Sequence, residues 1–176
     1  IRQVMIQSRK TSEFLHLYSQ LTAQGLTPLV VKGLVCRNLY REPDYRTSGD
    51  EDVLIPAEQF QKSNDIFLKN GMQMAEPDKD PRTEGEVPYY KAGGVLNIEL
   101  HKELFSSDSE AYGKLNDYFQ DVFERRREEV IQGVAVKTMC HTEHLLYLIL
   151  HAFKHFLHSG FGIRQVCDIV VYADTY

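Results

Sequence analysis

The sequence is poor in cysteine and contains no long apolar run. Its three cysteines, Cys36, Cys140 and Cys167, lie far apart and form no C-x-x-C pair. This pattern predicts free thiols in a reducing compartment, and therefore a cytoplasmic protein. No segment reaches the ~18 apolar residues of a membrane-spanning helix. The first apolar run is amphipathic and lacks a small-residue cleavage site, which argues against a signal peptide. We therefore expect no membrane partner.

An excess of positive charge is also missing. The chain carries 25 acidic and 20 basic residues, for a formal net charge of -5. A protein that binds duplex DNA without sequence preference usually carries a broad basic surface, so no duplex DNA partner is expected. The 176 residues, 43% of them hydrophobic, suffice for one domain with a core and an appended helical layer. Because the chain begins at Ile1 and stops within a helix-like run at Tyr176, we interpret it as part of a longer protein.

Apolar periodicity predicts an alternation of helices and strands, which favours an α/β (α+β) fold with helices flanking a small mixed β-sheet. The expected helices cover residues 1–24, 34–40, 56–70, 109–128, 141–158 and 163–176. The expected strands cover residues 28–31, 51–55, 87–91, 95–101 and 134–137. The last two helices form a C-terminal pair that is broken at 159–162. We therefore expect a domain over 1–138 and the start of a helical region over 139–176.

Two aspartates mark the start of the strand predicted at 51–55. Asp50 and Asp52 are two residues apart, and side chains at this spacing point to the same face of a strand. Glu51, between them, is expected to point to the other face. Two ionised carboxylates held close together repel each other, and a shared cation relieves the repulsion. Oxygen ligands of this kind suit Mg²⁺ or Mn²⁺.

A third carboxylate, Glu99, follows late in the strand predicted at 95–101, with His101 on the same face. If this strand lies beside the one that carries Asp50 and Asp52, three carboxylates surround one site. Such a site can hold two metal ions about 4 Å apart, one at the attacking oxygen and one at the leaving group. The alternative is a solvated turn for the two aspartates and a solvent-facing strand position for Glu99.

Phosphate-binding features precede these carboxylates. Lys32 and Gly33 follow a short apolar strand and precede a helix, an arrangement that presents backbone N–H groups and a point charge to a phosphate. Arg46, four residues before Asp50, is close enough along the loop to reach a phosphate. Its alternative role is to cap a helix or to pair with Asp44.

Four histidines share one face of the helix predicted at 141–158, namely His144, His151, His155 and His158. The spacing of His151 and His155 suits a transition metal if a third ligand is present. The favoured interpretation is that the histidines line a cleft or pack between helices. On the last helix, Asp168 lies four residues after Arg164 and is expected to pair with it.

Together these motifs resemble the DNA polymerase β-like nucleotidyltransferase superfamily, and within it a bacterial branch of uncharacterised nucleotidyltransferases. The matching residues are Val30-Val31-Lys32-Gly33, Tyr40, Arg46, Gly49 to Ile55, Glu99-Leu100-His101, and the tail residues His151, His155, Arg164 and Asp168. The resemblance covers about residues 28–170. It implies a nucleotidyltransferase fold and the transfer of a nucleoside monophosphate from an NTP to an acceptor hydroxyl, with release of pyrophosphate.

The resemblance also assigns roles to the candidate residues. Asp50, Asp52 and Glu99 would bind Mg²⁺ or Mn²⁺, with Glu99 also acting as a base. The nucleotide would contact Lys32, Gly33, Arg46 and His101, and the cleft would include His151, His155 and Asp168. The acceptor is open: a small molecule, a protein or an RNA end.

Two positions depart from the superfamily pattern and keep alternatives open. Leu34 stands where a serine is usual, and Glu51 stands where an apolar residue is usual. These departures motivate a second hypothesis, a catalytically degenerate nucleotide-binding module. A third is a toxin-type nucleotidyltransferase of a phage-defence system. A fourth, a helical zinc protein built on the histidines, ranks last.

Overall fold

A computed structural model of the protein describes every residue except Ile1, Ser159 and Phe161. The α-helices are α1 (Arg2–Ala23), α2 (Leu34–Asn38), α3 (Phe60–Lys69), α4 (His141–His158) and α5 (Ile163–Thr175). The strands are β1 (Leu29–Val30), β2 (Glu51–Leu54), β3 (Met72–Met74), β4 (Glu86–Lys91), β5 (Asn97–His101), β6 (Arg127–Ile131) and β7 (Val134–Thr138). Three 3-10 helices cover Pro43–Tyr45, Ala57–Gln59 and Gly113–Phe119.

The main sheet has five strands in the order β1-β2-β5-β4-β3. β2 and β5 run parallel, whereas the other neighbours are antiparallel. The hairpin between β4 and β5 turns through Gly93, whose φ of 67° lies in the left-handed region that favours glycine. The predicted small mixed sheet is therefore confirmed, and its central parallel pair is the pair that carries the predicted carboxylates.

Helices cover both faces of this sheet. On one face, Phe67 of α3 packs edge-on against Tyr89 of β4, with ring centroids 5.0 Å apart. On the other face, α4 contributes Tyr147 to the same buried core, where it contacts Phe105. Residues of β2 and β5 alternate between these two environments, as the period of two requires. The sheet therefore separates a structural side, under α1 and α3, from the side under α4.

The predicted helix over 109–128 is wrong. The described structure has only the 3-10 helix Gly113–Phe119 there, and the charged run continues into β6, which pairs with β7 in a separate two-stranded sheet. The turn between them uses Gln132 and Gly133, with φ of 49° and 81°. Both values suit a tight hairpin turn, so turn chemistry and strand pairing outweigh the helix propensity of the glutamate- and arginine-rich run. The three-residue strand β3 was not predicted at all.

The C-terminal helical pair is present as α4 and α5. The predicted break at 159–162 includes Ser159 and Phe161, which lie outside the described residues. The division into 1–138 and 139–176 stays a prediction, although Tyr147 of α4 shares the core of the sheet. Across the described chain, no helix is both long and apolar enough to cross a membrane.

Candidate active site

The parallel pairing of β2 and β5 brings the predicted carboxylates together. Asp52 lies opposite Glu99 in the register, and Leu54 lies opposite His101, so these side chains share one face. Asp52 and His101 are buried, while the Glu99 side chain keeps 29% of its surface exposed. Nε2 of His101 lies 3.6 Å from Oδ1 of Asp52 and 3.8 Å from Oε2 of Glu99. One ligand atom from each of the three residues lies within 4.8 Å of the others.

Asp50 lies beside this group and is not part of it. It precedes β2, is half-buried, and lines a cavity together with Lys32. Its charge acts on its neighbours, since it raises the pKa of both Lys32 and Glu99. The structure thus brings Asp52 and Glu99 into direct proximity, with His101 as the third member of the group and Asp50 as an adjacent carboxylate.

The surroundings of the site shift the pKa values of its two carboxyl groups in opposite directions. Burial and the charge of Asp52 raise the pKa of Glu99 to about 8. Burial would also raise the pKa of Asp52, but Lys32 and His101 outweigh burial and hold it well below its usual range. Nζ of Lys32 lies 3.1 Å from Oδ1 and 3.0 Å from Oδ2 of Asp52. The ammonium group of Lys32 therefore supplies the positive charge that balances the Asp52 carboxylate.

The donor set fits a divalent metal ion. Within the described part of the chain, both ring nitrogens of the buried His101 lack a hydrogen bond, and Oδ2 of Asp52 has the charge contact with Lys32 in place of one. Buried polar atoms without partners cost free energy unless a ligand or an ion satisfies them. Two carboxylates and an imidazole on adjacent strands are suitable ligands, and the carboxylate oxygens suit Mg²⁺ or Mn²⁺.

The Lys32-Gly33 turn is held from the opposite face of the sheet by Glu51. The Glu51 carboxylate is fully buried and accepts hydrogen bonds from the Leu34 N–H at 2.6 Å and from Nη1 of Arg37 at 2.7 Å. Gly33 has a φ of 68°, and a Cβ there would overlap this carboxylate. Glu51 points away from Asp52, as expected, but it anchors the turn instead of facing solvent.

Sequence reasoning missed the partner role of Arg37, which is 1% exposed. The available signal was an arginine inside the apolar run Leu34-Val35-Cys36 of the short helix α2. Since α2 has only five residues and its first N–H is bonded to Glu51, this N–H is not free for a phosphate. The nucleotide-binding roles of Lys32 and Gly33 stay predictions.

Arg46 and Asp168 form a buried ion pair across 122 residues of sequence. Nε of Arg46 donates to Oδ1 of Asp168 at 3.0 Å, and Nη2 pairs with Oδ2. The hydroxyl of Tyr40 donates to the same Oδ1 at 2.8 Å. The alternative pairing of Arg46 with Asp44 and the expected pairing of Arg164 with Asp168 are therefore wrong, because a buried partner competes better than a solvated one. Arg164 instead donates to the Thr47 carbonyl at 2.9 Å.

A cavity of about 320 Å³ opens between this ion pair and the carboxylates, and we call it the Lys32 cleft. Its lining consists of Lys32, Arg46, Ser48, Gly49, Asp50, His155, Gly162, Arg164, Gln165 and Asp168. Three of these side chains are permanently cationic, and only two are carboxylates. Arg46 is already paired with Asp168 and Lys32 with Asp52, so the charges in and around the cleft are nearly balanced.

Of the α4 histidines, His155 lines this cleft and His151 lies beside it. Nε2 of His151 lies 3.2 Å from Nζ of Lys32 and 2.9 Å from Nε2 of His155. Burial, followed by the charge of Lys32, lowers the pKa of both histidines. Among the described residues, no further histidine, cysteine or carboxylate converges on this pair to complete a metal site. His144 packs elsewhere, with Nε2 2.8 Å from the Val31 carbonyl oxygen.

Comparisons with known proteins agree with this geometry. The family model described as an uncharacterised nucleotidyltransferase matches residues 3–176. No curated protein matches the chain significantly. Among solved structures, the chain is similar to an antigenic nucleotidyltransferase-like protein from Paracoccidioides brasiliensis, with a TM-score of 0.61 and 14% identity over 96% of this chain and 77% of that one. It is also similar to the lincomycin-bound lincosamide antibiotic adenylyltransferase LnuA, with a TM-score of 0.61 and 14% identity over 94% of this chain and 97% of that one. The predicted nucleotidyltransferase fold is confirmed.

Proposed function

The chain belongs to the family of uncharacterised nucleotidyltransferases and is by family a transferase; on that premise we propose that it moves a nucleoside monophosphate from an NTP to an acceptor hydroxyl in a metal-dependent reaction. The observation that carries the proposal is the register of β2 and β5, which sets Asp52 directly opposite Glu99. The free state of Cys36, Cys140 and Cys167 supports a reducing, cytoplasmic location.

Asp52 and Glu99 are the proposed principal ligands of Mg²⁺ or Mn²⁺, with Asp50 as a third oxygen donor and His101 beside them. When bound, the metal supplies positive charge that stabilises the transferring phosphoryl group and the leaving pyrophosphate. His101 keeps Asp52 and Glu99 in place through its position between them. A bound ion would give Oδ2 of Asp52 a second partner beside Lys32.

Lys32 is proposed to hold the triphosphate. Its ammonium lies between Asp52 and the Lys32 cleft. Because the Lys32 side chain is largely buried, its positive charge needs a negatively charged partner. A phosphate oxygen in the cleft offers Lys32 such a partner once a metal ion takes over Asp52. Arg164 and His155 line the same cleft and add hydrogen-bond donors for the anion. Arg46 contributes through its ion pair with Asp168, which fixes the wall of the cleft.

Glu99 is proposed to accept the proton of the acceptor hydroxyl. Without a metal ion, burial and the charge of Asp52 raise its pKa to about 8; a bound divalent cation would oppose both effects and keep the carboxylate ionised, as a base must be. It is also the most exposed member of the metal-ligand group, so an acceptor can reach it. LnuA is named as an adenylyltransferase, which makes ATP the first nucleotide to test.

The test is calorimetric titration with ATP, GTP, CTP and UTP, with and without Mg²⁺. We expect Mg²⁺-dependent binding of at least one NTP, and its loss in Asp52→Asn. Asp108→Asn, the same chemical change at an exposed position, is the matched control and keeps full affinity. Binding that ignores both Mg²⁺ and Asp52 contradicts the proposal.

A second candidate, a degenerate nucleotide-binding module, is favoured by one observation. The Leu34 N–H, where the superfamily has a serine that contacts phosphate, is bonded to Glu51 and not available. Such a module binds the NTP but transfers nothing. Release of pyrophosphate that requires Asp52 excludes it, whereas nucleotide binding without turnover across a broad panel of acceptors supports it.

A further inference from the structure

The ammonium group of Lys32 is held from two directions. On one side it contacts both carboxylate oxygens of Asp52, at 3.0 and 3.1 Å. On the other side, Nζ lies 3.2 Å from Nε2 of His151, which is 119 residues away in the sequence and lies on α4. An ammonium group has three hydrogens, and these two neighbours accept two of them. The third is left for the Lys32 cleft, which the same side chain lines.

The contact with Lys32 determines which ring nitrogen of His151 carries the proton. An ammonium group only donates, so Nε2 of His151 has to accept from it. Burial, followed by the charge of Lys32, holds the pKa of His151 well below its usual range, so the ring is neutral at pH 7. A neutral ring that accepts at Nε2 carries its hydrogen on Nδ1, which lies 3.2 Å from the Tyr147 hydroxyl oxygen. Nδ1 of His151 therefore donates to Tyr147.

The neighbouring histidine of the cleft fits the same assignment. Nε2 of His155 lies 2.9 Å from Nε2 of His151, and two nitrogens at this distance need one hydrogen between them. With Nε2 of His151 as the acceptor, that hydrogen is on His155. Two donors thus share one lone pair of His151, whereas the opposite tautomer would direct an N–H at the Lys32 ammonium group.

Tyr147 fixes the other end of this series of hydrogen bonds. Its side chain is fully buried, and its ring contacts Phe105 and Phe119 at centroid distances of 6.1 and 6.3 Å. Close packing in a core holds a side chain in one rotamer, so the hydroxyl group has a fixed position. His151 follows one turn later on the same helix and is 5% exposed. Its ring is therefore held both by its helix and by its bond to Tyr147.

A bound metal ion changes one of the two contacts of Lys32 and leaves the other. In the proposed function, Asp52 is a metal ligand, and the positive charge of the ion offsets that of the carboxylate. The attraction between Asp52 and the Lys32 ammonium group is then weaker. The hydrogen bond to His151 involves no proposed metal ligand, so it persists. Because a free lysine side chain populates many rotamers, a contact that persists keeps the ammonium group at the cleft.

We propose that His151 is a positioning residue, which holds the ammonium group of Lys32 at the wall of the Lys32 cleft for the triphosphate when a metal ion occupies the site of Asp52 and Glu99. In this role His151 acts through Lys32, and Tyr147 orients His151. The inference rests on the proposed function and adds the residue that directs its phosphate-binding lysine.

The first test compares two amide variants by calorimetry with Mg²⁺ and whichever of ATP, GTP, CTP and UTP the wild type binds most tightly. Asparagine and glutamine carry the same amide, but only glutamine is long enough to reach the position of Nε2 and accept from Lys32. His151→Asn should weaken binding about tenfold, and His151→Gln should keep most of the wild-type affinity. In the Lys32→Met background, His151→Asn should have no further effect, because its partner is already absent.

The matched control is a second histidine–tyrosine pair on the same helix. His158 lies 2.9 Å from the hydroxyl oxygen of Tyr112 and does not line the cleft. His158→Asn and Tyr112→Phe should keep the wild-type affinity. Tyr147→Phe removes the acceptor that orients His151, so it should weaken binding by about threefold.

A second readout needs no nucleotide. Long-range ¹H–¹⁵N NMR spectra of the ligand-free chain distinguish the two neutral tautomers of a histidine ring. We expect a protonated Nδ1 and a bare Nε2 for His151 in the wild type, and a changed Nε2 resonance in Lys32→Met. A structural role for His151 that is independent of Lys32 would leave this resonance where it is.

The inference is overturned if His151→Asn and His151→Gln bind the NTP equally well, if His151→Asn weakens binding as much in Lys32→Met as in the wild type, or if Nε2 of His151 carries the hydrogen. In each case, Mg²⁺-dependent NTP binding by the wild type leaves the proposed function standing. A wild type that binds no NTP overturns the proposed function, and the inference with it.

Discussion

Replacing Glu51 tests whether the buried charges behind the site act as one unit. Its carboxylate is fully buried and pairs with Arg37 at 2.7 Å and with Lys10 at 3.6 Å. The variant Glu51→Leu has an apolar residue at this position, as is usual in the superfamily. It leaves the Arg37 guanidinium buried without a counter-charge. Breaking a buried pair in this way typically costs about 3–5 kcal/mol. Lys10 adds less, because burial already lowers its pKa and it can release its proton.

The second variant, Arg37→Met, breaks the same pair from the other side and should cost a similar amount. Removing both partners in Glu51→Leu/Arg37→Met replaces the pair by apolar groups, which is often close to neutral. The double variant should therefore be more stable than the sum of the single effects predicts, with a coupling of at least about 2 kcal/mol. Urea unfolding followed by circular dichroism measures all four free energies of unfolding.

Additive effects, within about 0.5 kcal/mol, would refute this reasoning. They would mean that Arg37 finds other partners, such as its bonds to Ser48 and Thr11, that suffice without Glu51. A further variant, Glu51→Gln, keeps an acceptor for the Leu34 N–H while it removes the charge. It should fall between the wild type and Glu51→Leu in stability, and nearer the wild type in NTP affinity, if the main role of Glu51 is to hold the turn.

Three further predictions concern other parts of the chain. Gly33→Ala should lower the free energy of unfolding more than Gly25→Ala by over ~1 kcal/mol, because both glycines have positive φ but only Gly33 lacks space for a Cβ; equal losses in urea unfolding would contradict this. Asp168→Asn leaves Arg46 buried without its counter-charge and should destabilise the protein by about 3 kcal/mol or more, which thermal unfolding measures against the wild type. Burial lowers the pKa of His144 to about 3, so the stability contributed by its neutral ring is present above pH ~6.5 and is lost as the pH falls. Between pH 7.5 and 5.0 the free energy of unfolding of the wild type should fall by about 2 kcal/mol more than that of His144→Gln, and parallel pH profiles of the two proteins would exclude His144 as the cause.

Local patterns carry much of the fold and of the site. Within each strand, the period of two predicts which side chains share a face, so Glu51 is expected on the face opposite Asp50 and Asp52, and His101 on the same face as Glu99. The sequence therefore predicts a shared face for Asp52 and Glu99 on the condition that the two strands are neighbours. What it could not give is their distance, because neither the parallel pairing nor its register follows from a single strand.

Long-range pairs account for most of the errors. Arg46 and Asp168 are separated by 122 residues, and nothing near either of them in the sequence indicates the other. For Asp168 the sequence therefore predicts the local partner Arg164, and for Arg46 it leaves a phosphate contact and the local residue Asp44 as alternatives. The helix predicted at 109–128 failed for a related reason, because β6 is stabilised by its pairing with β7 and by the turn at Gly133, not by its own propensity.

The two departures from the superfamily pattern are linked by the alternation of β2. Because side chains alternate, Glu51 necessarily reaches the face opposite Asp52, where it binds the Leu34 N–H and Arg37. A slip of one residue in the register would exchange the two carboxylates, placing Asp52 among the core side chains and Glu51 opposite Glu99. Such a slip would separate the Glu51 carboxylate from Arg37 and Lys10, and the loss of these ion pairs increases the free energy that the slip would require. An acidic residue at this position is therefore compatible with an active transferase, since it stabilises the register on which the metal ligands depend.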